Sequence, residues 1–181
     1  MSKKNLAVFI SGQGTNLNVF LENKEKFGKI LVISSSPKAY GLVRAENHSV
    51  ESQVLDKEIN WQALNQSLKA NKIDLIFLAG FMKILPEEFI NDWQGNLYNI
   101  HPSLLPKYKG LNAIKKAYGA ADDIGVTIHH VTPEVDAGEI VVQEIAIKKE
   151  QVSNLSLDEA TKLTHQKEHQ LVQAWIEKIT N

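Results

Sequence analysis

The feature that most constrains the fold is the alternation of short, continuously apolar segments with segments of helical spacing. The apolar segments carry few polar interruptions, which is typical of strands buried on both faces of a parallel sheet. They lie at residues 6–10, 30–33, 74–79 and 97–100, with a weaker candidate at 52–55. Helical spacing lies between them at residues 17–27, 41–47 and 61–73. The sequence therefore predicts an α/β fold: a doubly wound, mostly parallel sheet of Rossmann-like type.

The pattern changes in the last third of the chain. Residues 126–131 and 139–147 alternate apolar and polar side chains, and the turn-rich segment 132–138 separates them. This arrangement favours two antiparallel strands joined by a loop. Residues 155–179 have helical spacing, and Ser156 with Glu159 matches the capping box that begins many helices.

Composition excludes several classes of protein. The chain has 181 residues, 43% of them hydrophobic, which suits one domain with a full core. A formal net charge of −1 argues against a nucleic-acid binder. The absence of cysteine excludes disulfides and thiolate catalysis. The apolar run at 6–10 is too short for a signal peptide, and no run approaches a membrane span of about 20 residues. We therefore expect a cytoplasmic protein, without a metal site because the histidines are scattered.

A glycine-containing loop follows the first predicted strand and precedes a predicted helix. Gly12 and Gly14 allow the backbone to turn sharply, so that the N–H groups of Gly14, Thr15 and Asn16 could face an anion at the helix N-terminus. Leu17 stands where a dinucleotide-binding motif requires glycine, and no Walker A lysine follows. An ordinary strand–helix turn, with Thr15 or Asn16 as the N-cap, is the alternative to a phosphate-binding loop.

Asn99 and His101 form the clearest candidate for chemistry. They lie two residues apart at the end of a predicted strand, so their side chains point to the same side. The amide offers two donors for an oxyanion, and the imidazole can donate or transfer a proton. Asp136 would ordinarily be a turn residue. If its loop folds over the end of this strand, its carboxylate would favour the imidazolium form of His101.

Two further groups of side chains have both an ordinary and a functional interpretation. Phe81, Met82, Ile84 and Leu85 follow a predicted strand and either belong to the core or line a slot for a flat ring. The adjacent pair at residues 129 and 130 lies on a predicted strand, so the two imidazoles face opposite sides and cannot form a paired metal site. One of them is expected to point inward and to be hydrogen-bonded.

Four segments, in this order, resemble the folate-dependent formyltransferases, and most closely the phosphoribosylglycinamide formyltransferases of purine synthesis. They are residues 11–16, 78–85, 99–106 and 136–138. The resemblance implies one formyltransferase domain over residues 1–181, with a phosphate-binding N-terminal part and a folate-binding C-terminal part. It implies transfer of the formyl group of 10-formyltetrahydrofolate to the amine of phosphoribosylglycinamide, directly and through a tetrahedral intermediate, in the synthesis of IMP.

The resemblance also implies a role for particular residues. The catalytic set would be Asn99, His101 and Asp136. The glycinamide substrate would be bound by Gly12, Gly14, Thr15 and Asn16 at its phosphate and by Glu168 at its ribose. The folate would be bordered by Met82, Lys83, Ile84, Leu85, Asn99, Val131 and Thr132. The expected partners are these two small molecules, without metal, nucleic acid or membrane, and the protein would be a monomer or a homodimer.

The chain departs from the family pattern at Lys83, Asn112, Ile114 and Ala137, and a basic residue common in the family has no counterpart between positions 54 and 73. These departures leave other functions open. One is a formyltransferase acting on another amine, such as an amino sugar attached to a nucleotide. Another is a non-catalytic folate- or nucleotide-binding module. A hydrolase that releases formate is a further alternative.

Overall fold

A seven-stranded sheet forms the centre of the computed structural model, which describes residues 3–180. The strand order is β3–β2–β1–β4–β5–β6–β7, in which β1 to β5 pair in parallel and β6 and β7 pair antiparallel. The strands are β1 (Asn5–Ile10), β2 (Lys29–Ser34), β3 (Glu51–Val54), β4 (Leu75–Leu78), β5 (Leu97–His101), β6 (Ile124–His130) and β7 (Ile140–Ile147). The predicted α/β fold with a mostly parallel sheet is confirmed.

Helices cover both faces of the sheet. They are α1 (Thr15–Glu22), α2 (Tyr40–Asn47), α3 (Trp61–Ala70), α4 (Glu87–Asp92), α5 (Ala113–Gly119), α6 (Lys149–Val152) and α7 (Leu157–Thr180). Helices α4, α5 and α6 were not predicted, because four to seven residues are too few to show helical periodicity. The capping box of α7 is confirmed: Ser156 N–H donates to Glu159 Oε2 at 2.8 Å, and Glu159 N–H donates to Ser156 Oγ at 3.2 Å. None of the helices within residues 3–180 has the length and apolar character needed to cross a membrane.

The buried side chains of β1 alternate between two cores, as the two-residue period of a strand requires. Leu6 and Val8 face the layer formed by α1 and α7, whereas Ala7 and Phe9 face the layer formed by α3 and α4. A strand buried by both layers must be apolar at every position, which explains the unbroken hydrophobic run in the sequence.

Helix α1 is shorter than predicted. It ends at Glu22, and a 3₁₀ turn over Lys24–Lys26 follows, although the apolar spacing continues to Phe27. The Asn23 side chain donates to Val19 O at 2.9 Å and so competes with the helical backbone pattern. Phe27 remains buried and packs against Phe20, with ring centroids 6.5 Å apart, which is why the sequence suggested a longer helix.

The sheet order creates a crevice at the carboxyl ends of the central strands. β1 has β2 on one side and β4 on the other, so the connections that leave these strands diverge. The loops that follow β1, β4 and β5 meet at this edge. These are the three loops in which the sequence placed most of its candidate residues.

Candidate active site

A cleft of about 680 Å³ opens at this edge of the sheet. Its volume is within the range of small-molecule binding sites. Every residue that the sequence or the resemblance assigned to the site lines this cleft: Gly12, Gly14, Thr15, Asn16, Met82, Lys83, Ile84, Leu85, Asn99, His101, Val131, Thr132, Asp136 and Glu168. Asn112 and Lys83, at which the chain departs from the family pattern, line it as well, together with His129 and His165.

The loop after β1 is held in its turn by glycine. Gly14 is the N-cap of α1 and has left-handed backbone angles (φ 67°, ψ 36°), so the prediction of Thr15 or Asn16 as the cap was wrong. A Cβ atom at Gly14 would lie 2.7 Å from Gly41 Cα, and Gly41 N–H donates to Gly12 O at 3.1 Å. The start of α2 therefore packs directly on the loop. As at any helix start, the first N–H groups of α1 have no partner within the helix and can bind an anion.

Gly14→Ala is expected to lower the free energy of unfolding by about 1–3 kcal/mol, because alanine would combine positive-φ strain with a backbone clash at Gly41. Denaturant unfolding measures the change. Gly12→Ala is the matched control, since a Cβ atom there meets nothing within 4 Å, and its stability should remain within about 0.5 kcal/mol of the original. Equal stability of the two variants would contradict the packing described.

A positive charge lies beside this loop on α2. Arg44 Nε donates to Gln13 O at 2.9 Å, and the guanidinium group lies over the ring of Tyr40, 5.1 Å from its centroid. Arg44 was not among the predicted site residues, since no motif marks it. Its side chain supports the loop by donating to the backbone carbonyl of Gln13.

Asn99, His101 and Asp136 meet at one point of the cleft. His101 Nδ1 lies 3.4 Å from Asp136 Oδ2, and Asn99 Nδ2 lies 3.5 Å from Asp136 Oδ1. His101 Nε2 lies 3.0 Å from Tyr108 O, a carbonyl that can only accept. Both ring nitrogens of His101 thus face acceptors, and only the imidazolium form donates to both. The two long contacts to Asp136 leave the N–H groups of Asn99 and His101 available to a third acceptor in the cleft.

His129 fixes the orientation of the Asn99 amide. It lies opposite Asn99 in the β5–β6 register and is buried, whereas His130 points to the other face and packs on Tyr98. His129 Nδ1 lies 2.8 Å from the carbonyl of residue 130 and must donate to it. Its Nε2 lies 3.1 Å from Asn99 Nδ2 and 3.6 Å from Asp136 Oδ1, so it accepts from the amide when unprotonated and donates to the carboxylate when protonated. The prediction that one of the two histidines points inward and is hydrogen-bonded is confirmed.

The carboxyl of Asp136 is held in its ionised form. Burial raises its pKa, but contact with His129, the hydrogen bond from Gly110 N–H (2.8 Å) and the charge of His101 lower it by more. Its pKa therefore lies below the ordinary value of 3.8. A charged acceptor therefore faces His101 Nδ1.

A second carboxylate, that of Asp122, stabilises the loop that contains Tyr108, whose carbonyl faces His101. Asp122 accepts from Lys107 Nζ at 2.7 Å and from Tyr108 O–H at 3.0 Å. Hydrogen bonds from Lys107, the Asp123 N–H and Tyr108 lower the pKa of Asp122 to about 2. Tyr108, whose backbone has a positive φ of 56°, is thereby held with its carbonyl toward His101.

The loop between β6 and β7 folds back over the sheet because residue 138 is glycine. A Cβ atom at Gly138 would lie 1.8 Å from the carbonyl oxygen of His130, a distance no side chain tolerates. Ala137 is exposed, and φ in the left-handed region is confined to Asp136 in this loop. The departure at Ala137 is therefore compatible with the geometry that presents Asp136.

The cleft also has an apolar rim. Met82 is 64% exposed and Ile84 82% exposed, and Leu111 and Val135 are also largely exposed. Four large apolar side chains lining one cleft favour an apolar ligand that covers them. Met82 N–H donates to Ser11 Oγ at 2.8 Å, so the rim is attached to the loop after β1.

The third wall is formed by α7. Glu168 is only 4% exposed, and its Oε2 lies 2.6 Å from His165 Nδ1. Asn16 Oδ1 is buried in the same cleft and has no hydrogen-bond partner in the described structure. Sequence reasoning missed His165, although its spacing of three residues from Glu168 on a predicted helix was a usable signal. Within residues 3–180, no three histidine or acidic side chains are grouped as metal ligands.

Comparison with known proteins gives the class of protein. The family model described as formyl transferase matches residues 4–176. The chain belongs to this formyl transferase family. This match confirms the family resemblance that was predicted from the four sequence segments.

Individual relatives show which members of the family this chain resembles. The chain is 41% identical over 180 residues to phosphoribosylglycinamide formyltransferase of Haemophilus influenzae, covering 93% of this chain and 83% of that protein. It is also 41% identical over 154 residues to the trifunctional purine biosynthetic protein adenosine-3 of Drosophila melanogaster. That match covers 78% of this chain but only 11% of the much longer fly protein.

Solved structures of similar proteins have the same fold. The phosphoribosylglycinamide formyltransferase of Anaplasma phagocytophilum superimposes with a TM-score of 0.90 at 33% identity, covering 99% of this chain and 88% of that one. The enzyme of the same name from Streptococcus pneumoniae TIGR4 gives 0.88 at 32% identity, covering 99% of both chains. The likeness therefore extends over the whole sheet and the cleft at its edge.

Proposed function

We propose that this protein transfers the formyl group of 10-formyltetrahydrofolate to the amine of N1-(5-phosphoribosyl)glycinamide, in the synthesis of the purine nucleotide IMP. The observation that carries the proposal is the meeting of Asn99, His101 and Asp136 in one cleft, between an anion-binding loop and an apolar rim. The relatives that match this chain over nearly its whole length are named phosphoribosylglycinamide formyltransferase, which supports the proposal.

The two ends of the cleft suit the two substrates. The start of α1 at Gly14–Asn16 presents backbone N–H groups to a phosphate. The buried acceptors Asn16 Oδ1 and Glu168 suit the hydroxyl groups of a ribose. The apolar rim at Met82 and Ile84 suits a flat pteridine ring, and Val131 and Thr132 line the same cleft.

The residues support a direct transfer. As the substrate amine bonds to the formyl carbon, Asn99 Nδ2–H and His101 Nδ1–H would stabilise the oxyanion that develops on the formyl oxygen. The bond from carbon to the folate nitrogen then breaks, and that nitrogen takes up the proton that the amine loses. Asp136, which faces His101 Nδ1, would relay this proton through water. The cleft needs no covalent intermediate on the protein for this step.

Release of tetrahydrofolate from a 10-formyl donor, followed by absorbance with and without phosphoribosylglycinamide, tests the proposal. We expect turnover that requires the glycinamide. Turnover without it, with formate released, would identify a hydrolase instead. Tight folate binding without turnover would contradict the proposal and favour a different amine substrate or a binding module.

A further inference from the structure

The segment that carries Met82 and Ile84 of the apolar rim has few hydrogen bonds. The chain leaves the sheet after residue 79, whose N–H donates to Phe9 O at 2.8 Å. Within the part of the chain that the structure describes, one hydrogen bond joins residues 80–85 to the rest of the protein: Met82 N–H donates to Ser11 Oγ at 2.8 Å. Among polar contacts, the position of this segment therefore depends on a single serine hydroxyl.

Packing fixes the two ends of the segment but not its middle. Phe81 packs edge-on against Phe9, with ring centroids 5.2 Å apart, and Leu85 is buried. Between them, the side chains of Met82 and Ile84 are largely exposed and line the cleft. Exposed side chains hold a backbone weakly, because they bury few apolar contacts. The hydrogen bond from Met82 N–H is thus the contact that fixes the part of the rim nearest to a ligand.

The position of Ser11 is itself well defined. It directly follows β1, which lies between β2 and β4 in the sheet. Its Oγ lies 2.6 Å from Ser35 Oγ, and Ser35 N–H donates to Ile10 O at 3.0 Å just beyond the end of β2. A serine oxygen can accept two hydrogen bonds and donate one, so Ser11 can bond to Met82 and to Ser35 at the same time. The hydroxyl therefore attaches the rim to the carboxyl ends of two strands.

We propose that Ser11 is a positioning residue for the flat-ring ligand: its hydroxyl holds the Met82 backbone so that the apolar rim keeps the shape that receives the ring. That the ring is the pteridine of a folate rests on the proposed function. Ser11 does not line the cleft itself and acts through Met82, whereas the proposed reacting groups lie with Asn99 and His101 on β5. Loss of the hydroxyl should weaken folate binding without slowing the transfer step.

Two alanine variants isolate this hydrogen bond. Ser11→Ala removes the bonds to Met82 and to Ser35, whereas Ser35→Ala removes only the second of them. The KM for 10-formyltetrahydrofolate and the Kd of tetrahydrofolate should rise about three- to tenfold in Ser11→Ala, the factor expected for one hydrogen bond. In Ser35→Ala both constants should stay within about 1.5-fold of the original, because the bond to Met82 remains.

The other kinetic constants separate positioning from a general loosening of this edge of the sheet. In both variants, kcat and KM for the glycinamide should stay within about twofold of the original. The loop after β1 keeps its own supports, since Gly41 N–H donates to Gly12 O and Arg44 Nε donates to Gln13 O. A rise of both KM values by the same factor in Ser11→Ala would show loosening and would overturn the proposal.

Steady-state kinetics give the KM values, and isothermal titration calorimetry with tetrahydrofolate gives the Kd. Hydrogen–deuterium exchange at residues 80–85 should be faster in Ser11→Ala than in Ser35→Ala, which tests the contact without a ligand. Equal tetrahydrofolate affinities in the two variants would overturn the proposal. Because tetrahydrofolate binding needs no turnover, the expected difference in a protein that lacks formyl transfer would refute only the proposed function. Formyl transfer with equal affinities in the two variants would refute only the role of Ser11.

Discussion

Replacing His101 with alanine is expected to lower kcat by about 10²- to 10³-fold, equivalent to roughly 3–4 kcal/mol of activation free energy. The reason is the loss of the Nδ1–H donor that would face the developing oxyanion, and of the proton it carries. KM for both substrates should change little, because the phosphate loop and the apolar rim are untouched. Steady-state kinetics of the purified variant measure the effect.

A histidine outside the cleft provides the control. His48 caps the end of α2, where its Nδ1 contacts Arg44 O at 3.0 Å, and His48→Ala should keep kcat within about twofold. Circular dichroism should show that the His101 variant is folded, since the hydrogen bond to Tyr108 O and the contact with Asp136 that it loses are a small part of the interactions of the fold. A His101→Ala enzyme within tenfold of the original kcat would refute the role of this imidazole.

Asp136→Asn is expected to have the second large effect, a decrease in kcat of about 10²- to 10⁴-fold. Asparagine keeps the size of the side chain and can still accept from Gly110 N–H, but it removes the charge opposite His101. Steady-state kinetics of the purified variant measure the decrease.

The same variant has a defined effect on stability. The folded-state pKa of Asp136 is lowered, so its ionised form stabilises the folded protein above about pH 4, and that contribution is lost as pH falls through the folded-state pKa. Below about pH 4 the original protein should therefore lose stability more steeply than Asp136→Asn. Glu134→Gln is the control in the same loop: its carboxylate is exposed and pairs with Lys109 at 3.0 Å. A near-original kcat in Asp136→Asn would contradict the expected loss of activity. A free energy of unfolding that depends on pH in the same way as that of the original protein would contradict the expected effect on stability.

The sequence predicted the parts of the fold that have a strong period. Strands such as β1 and β4 are apolar at every position because both faces are covered, and the two-residue spacing of Asn99 and His101 placed both in the cleft. Helices of four to seven residues show no such period and were missed. The left-handed cap at Gly14 was also missed, because it depends on the approach of Gly41 from a distant segment.

The meeting of Asp136 with His101 could be expected only conditionally. It requires the β6–β7 loop to fold back, and this depends on Gly138 lying against the carbonyl of His130. The contact of His129 with Asn99 likewise depends on the β5–β6 register, which one sequence does not specify. Contacts of this kind, between segments distant in the sequence, could be expected only from the family resemblance or observed in the structure.

The change from parallel to antiparallel pairing at β6 has a consequence for how activity is lost. Asn99 and His101 lie on β5, whereas His129 lies on β6 and Asp136 follows it, so a single strand junction holds the proposed catalytic groups together. The loop proposed to bind phosphate follows β1, away from this junction. Fraying of the β6–β7 hairpin would therefore leave a protein that captures its phosphorylated substrate without converting it. In a cell, such a partly opened molecule would act as a sink for that metabolite.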